Sequence, residues 1–212
     1  MRQPGKGEAV QGARPPQGIT KARAEAFSDG VFAVAATILV FSITPPDVKS
    51  GLAHALLAEW PSYAAYATSF VTILVIWVNH HAALDAMRAF DRTLLFLNGF
   101  LLMTVAAIPF PTGLLAHYLQ AGHDQEAAAV AYGITMSSMA VAFTLINLYS
   151  RKRRLLTVPF DFLAFSTGQA LYPLGTVVAF FSARIALAIF AATALFYVAL
   201  PLIREAQQRR RL

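Results

Sequence analysis

Between Val31 and Phe41 the chain reads Val-Phe-Ala-Val-Ala-Ala-Thr-Ile-Leu-Val-Phe with no charged residue. Long stretches of the same kind recur toward the C-terminus, separated by short polar segments. A helix needs about 20 apolar residues to cross the hydrocarbon core, and the pattern predicts six such helices. The first runs from Lys21 to Ile43 and stops at Pro45-Pro46, which cannot continue a helix. The others cover Pro61 to Arg88, Thr93 to Leu119, Ala127 to Tyr149, Pro159 to Phe181 and Ala183 to Ile203. Pro109 and Pro111 are expected to kink the third, and the last two form a tight hairpin. Leu52 to Trp60 reads as a short interfacial helix.

Composition agrees with the periodicity. The 212 residues are 57% apolar and 13% charged, about half the roughly 25% charge of soluble domains. The fold class expected is therefore an all-α integral membrane protein of six transmembrane helices per subunit. Residues 1–18 form a disordered Gly-, Pro- and Gln-rich tail, 19–204 the membrane domain, and 205–212 a basic cytoplasmic tail. On this layout 15 of the 17 Lys and Arg fall on one side, leaving Lys49 and Arg184 opposite. The positive-inside rule then puts both termini in the cytoplasm. The net charge of +6 comes from these flanks, which are not interleaved with aromatics, so nucleic-acid binding is excluded. There is no cysteine, hence no disulfide or thiolate ligand. A multi-pass protein of the cell (plasma) membrane is expected, with the lipid bilayer as its surroundings.

Ionisable groups inside a span face protein or water, because lipid cannot solvate them. Asp29 lies about two turns into the first helix and roughly 140° around it from Val34. It reads either as a hydrogen-bond hub between helices or as an ion or proton site. In the second span, His81 and Asp85 are four residues apart and share a face, a spacing that also suits a metal pair. The second pair such a site needs is absent from the sequence. Asn98, Asn147, Gln169 and Asp161 read as interhelical glue. No phosphate loop, nucleophile elbow or zinc-protease helix occurs, so enzyme chemistry has no constellation and no cofactor is implied.

At Arg23-x-x-x-Phe27-Ser28-Asp29 the sequence resembles the transmembrane-protein-175 family of potassium channels, in particular its short prokaryotic members. The stretch Trp77-x-Asn79-His80-His81 is similar to the same family's pattern. The resemblance implies that the first helix lines a pore whose narrowest ring lies five residues after the motif Asp, at Val34. It further implies that Thr37, Ile38 and Phe41 continue the lining. These four positions fall at i, i+3, i+4 and i+7, one face of a helix. One chain has one such helix, so a homotetramer is implied, with the potassium ion as permeant species.

No Thr-Val-Gly-Tyr-Gly filter is present, so selectivity is expected to be modest and gating to occur by dewetting of the apolar ring. Arg23, Phe27, Ser28, Asp29, Trp77, Asn79, His80 and His81 are expected to form an assembly and gating network. The alternative function is a secondary transporter coupled to protons or a metal through Asp29, His80 or His81.

Overall fold

The computed structural model describes residues 20–46, 51–157 and 162–209, with side chains omitted at 162–168 and 201–209. The expected tail at 1–18, Lys49 and Asp161 lie outside the described residues, as do residues 210–212. The described chain is helical throughout. In order come α1 (Lys21–Ile38), extended by a 3-10 turn over Leu39–Ser42, α2 (Leu52–Ala58), α3 (Trp60–Asp85), α4 (Arg92–Ala107), α5 (Pro109–Ala121), α6 (Gln125–Lys152), α7 (Phe162–Ala179) and α8 (Ala183–Arg209).

Local chemistry sets these boundaries. The Asp91 carboxylate caps α4 by accepting the Leu94 N–H at 2.8 Å. Proline at 109 cannot bond the Val105 carbonyl; the Ile108 N–H takes that oxygen at 3.1 Å instead, and α5 restarts from Pro109. The kink expected in the third span is this break. Gly122 ends α5 in the left-handed region at φ 77°, which glycine adopts without a Cβ penalty. At the basic end, Met87 and Leu156 form an isolated antiparallel bridge. The Arg88 N–H donates to Leu155 O at 2.9 Å and the Thr157 N–H to Ala86 O at 2.7 Å, tying the α3–α4 turn to the segment after α6.

The expected count of six spans is overturned. Among the described residues five helical stretches are long and apolar enough to cross a membrane: Lys21–Ser42, Trp60–Asp85, Arg92–Ala121, Gln125–Lys152 and Ala183–Leu200. The expected fifth span is the one that drops out. Its helix, α7, is described over Phe162–Ala179, and within that stretch Ser166, Thr167, Gln169, Pro173 and Thr176 interrupt the apolar run. With five such helices among the described residues, the six-span count no longer supports the expectation of two cytoplasmic termini.

Helix α7 packs between α6 and α8 at very close range. A Cβ added at Gly133 of α6 would lie 2.5 Å from Thr176 Oγ1 and 3.0 Å from its Cα, and one added at Gly175 would lie 2.5 Å from the Phe190 ring. Small residues thus let these backbones approach. Buried Tyr132, Met136, Met139, Phe143 and Phe190 fill the space beside them.

Candidate functional site: the two faces of the first helix

Helix α1 is docked on one side only. Ala24, Ser28, Phe32, Ala35 and Leu39 are buried at spacings of three and four, facing α3, α4 and the break before α5. The opposite stripe is bare. Val34 is 55% exposed, Ile38 45% and Phe41 80%, with Thr37 exposed between them. A groove of about 490 Å³ runs along this stripe, bounded by Phe27, Gly30, Val34 and Ile38 of α1 and by Ala106 and Pro109 across from them. The Thr37 hydroxyl turns back on its own helix, donating to Ala33 O at 3.0 Å or Val34 O at 2.9 Å. The stripe therefore offers alkyl and aromatic surface with one internally bonded hydroxyl.

A relay of buried polar groups holds the docked face. His80 Nε2 lies 2.7 Å from Asn98 Oδ1, Asn98 Nδ2 donates to Ser28 Oγ at 3.0 Å, and the Ser28 hydroxyl donates to Ala24 O at 2.8 Å. Every member is at most 3% exposed. The directions fix the histidine. Since Asn98 spends its amide hydrogens toward Ser28, its carbonyl oxygen must accept, so His80 carries its proton on Nε2. The Phe32 ring covers the imidazole at 5.4 Å between centroids. Three helices, α1, α3 and α4, are thereby fixed in rotation as well as in distance.

The remaining motif residues divide between two places. Asp29 accepts the Trp77 indole N–H at 2.9 Å; it does not meet a histidine. His81 stacks by Trp77 at 6.1 Å and approaches Asp85 at 3.5 Å. The other Asp85 oxygen lies 3.6 Å from Lys21 Nζ, which also pairs with Glu25 at 3.4 Å. Among the described residues no group of three or more His, Asp or Glu stands close enough to hold a metal ion. Arg23 and Phe27 are exposed, and Arg23 has no ion pair among the described residues. Asn79 donates to Val75 O at 2.8 Å and takes no part in the relay.

Asn98, expected as interhelical glue, does join helices, and the sequence did not show that its partners are Ser28 and His80. Its only sequence signal is an amide alone in Leu-Leu-Phe-Leu-Asn-Gly-Phe-Leu-Leu. A second contact that was not foreseen lies at the basic end, where the Tyr149 hydroxyl donates to Asp91 Oδ2, just before α4, at 2.6 Å. Burial pushes the Asp91 carboxyl up, but the Tyr149 hydroxyl, the Leu94 N–H and nearby Arg153 outweigh it, and the pKa sits below its ordinary value.

The half of the molecule that holds this relay is the half that matches a known family. The profile of the family described as "Endosomal/lysosomal potassium channel TMEM175" matches residues 23–109. A potassium channel of Streptomyces collinus is 42% identical over 185 residues, covering 82% of this chain and 90% of that protein. The crystal structure of a lysosomal potassium-selective channel TMEM175 homolog from Chamaesiphon minutus superposes with a TM-score of 0.74 at 35% identity, covering 84% of this chain and 96% of that one. The human endosomal/lysosomal proton channel TMEM175 is 38% identical over 101 residues, which is 43% of this chain and only 20% of that protein.

The plasma-membrane location expected from the sequence is overturned by the family's description, which names endosomal and lysosomal membranes. Hydropathy reports that a chain crosses bilayers, not which one. The multi-pass character stands. On the match to both bacterial relatives across most of their length, this chain belongs to the TMEM175 family of potassium channels.

Proposed function

We propose that four copies of this chain surround a potassium-conducting pore lined by the exposed stripe of α1, with Val34 at the constriction. Self-association follows from geometry, because a single helix encloses nothing. The observation that carries the reading is the asymmetry of α1. Its buried face is locked by Ser28, Phe32 and the Asn98 relay, while Val34, Thr37, Ile38 and Phe41 stay uncovered within one subunit. The family profile covers α3, α4 and all of α1 after its first two residues, so the stripe and its support belong to the matched region.

Four isopropyl groups at one level offer no ligand to a cation. An ion crossing them keeps or rearranges its water, and a narrow apolar ring favours the dry state. Discrimination then rests on how readily each ion yields hydration, which favours potassium over the more tightly hydrated sodium to a modest degree. The Ser28–Asn98–His80 relay acts as a positioning device, setting the rotation of α1 and hence the width of the ring. The Asp29–Trp77 bond braces the same helix from a second side. Arg23 and Phe27, exposed in one subunit, are available to a neighbouring one.

Native mass spectrometry of the purified protein, paired with potassium efflux from liposomes, tests the reading. Four copies per particle and efflux that rises on Val34→Asn are expected. A stable monomer, or a flux untouched by substitutions along the stripe, would overturn it.

A further inference from the structure

Asn79 belongs to the Trp77-x-Asn79-His80-His81 stretch, yet it points away from the relay. One residue along a helix is about 100° around it, which turns Asn79 from α1 and α4 toward α6, α7 and α8. There it lines a small cavity of about 20 Å³ together with Met139, Phe143, Gln169, Tyr172 and Tyr197. A space of about 10–15 Å³ or more accommodates one water, provided two to four polar partners surround it.

The partners are present and complementary. Tyr172 is 4% exposed, and its hydroxyl has no hydrogen-bond partner among the described residues. Its ring is held by stacking on Phe190 at 6.3 Å and 19°, so the hydroxyl cannot swing out to find one. Thr72, whose side chain also approaches Tyr172, donates its own hydrogen to Thr68 O at 2.8 Å, so it gives none to Tyr172. Asn79 gives one amide hydrogen to Val75 O, and its carbonyl oxygen is an acceptor. Gln169 spends its carbonyl oxygen on the Thr144 hydroxyl, which leaves its amide as a donor. Pro173, four residues after Gln169, has no N–H to give the Gln169 main-chain carbonyl.

We propose that an ordered water molecule is bound in this cavity, accepting from Gln169, donating to Asn79 and bonded to Tyr172. Such a water cross-links α3 to α7 behind the conducting face. It stands outside the pore and gives Asn79 a role that the relay does not. A buried hydroxyl, one free acceptor and one free donor around a single-water volume are the complement of a molecule with two of each.

Thermal unfolding of the detergent-solubilised assembly decides the matter by sign. With a bound water, Tyr172→Phe removes one of its ligands, and Tm is expected to fall by about 2–4 °C. If the site is dry, the same change deletes an orphaned buried hydroxyl and Tm rises, which would overturn the proposal. Combining Tyr172→Phe with Asn79→Leu separates a shared water from a direct Tyr172–Thr72 bond. The two changes are expected to be strongly non-additive, and simple additivity would contradict a common ligand. Should either variant fail to assemble, a water-resolving density map of the wild-type channel serves instead. A peak within hydrogen-bonding distance of Tyr172 Oη and Asn79 Oδ1 is expected there, and no peak overturns the site.

Discussion

Half of the most apolar window of α6 is buried inside the subunit, but only 28% of that of α1. Both helices are long, apolar and interrupted by small residues, and both carry polar groups that bond across to neighbours. They differ in where the polar groups stop. Around α6, contacts continue on more than one side: Ser69 of α3 bonds Tyr132 at 3.0 Å, and Ser137 lies 2.9 Å from Thr176 of α7. Along α1 the bonding is confined to one face, through Ser28, and one flank, through Asp29. On the proposed reading the front is completed by other copies, so its polar groups orient a surface in addition to closing a core.

Breaking the front should therefore cost assembly as well as stability. Asn98→Ala leaves both His80 and Ser28 buried without partners, a loss of roughly 2–4 kcal/mol. Gel filtration should show the oligomer lost or depleted, since α1 is then free to rotate. Breaking the back should cost stability alone. Gly133→Ala places a methyl where Thr176 backbone already sits at 3.0 Å, and overpacking of this kind costs about 1–3 kcal/mol. Its Tm should fall while potassium-over-sodium preference stays at the wild-type value; a changed preference would mean that the two regions are coupled.

The smallest effect concerns the clamp at the basic end. The pKa of Asp91 is depressed in the native state by Tyr149 and its other partners, so its contribution is present above about pH 4 and lost as pH falls through the native value. Tyr149→Phe should cost about 1 kcal/mol at neutral pH. The gap between mutant and wild-type Tm should close below about pH 4, and a constant gap would assign the loss to packing.

The sequence made the two faces of α1 readable because a single helix determines both. Val34 and Phe41 fall on one side and Ser28 and Phe32 on another by periodicity alone. Partnerships between helices were not readable. Asp29, expected in one network with Trp77, His80 and His81, accepts from Trp77, and the choice among these three depends on the register of α1 against α3. Asn98 carried no local mark of its position in the relay. Helix α7 was counted as a span on its apolar ends, although Gln169, Pro173 and the hydroxyl residues between those ends lower its apolar character.

Single-channel recording in planar bilayers of Val34→Ala beside Val31→Ala tests the central claim, that the exposed stripe of α1 faces the ion path. Val31 is about 60° away around the helix and packs against the subunit core. The account predicts that Val34→Ala raises conductance several-fold and lowers potassium-over-sodium selectivity, with Val31→Ala close to wild type. Equal effects at the two positions, or no effect at Val34, would contradict it.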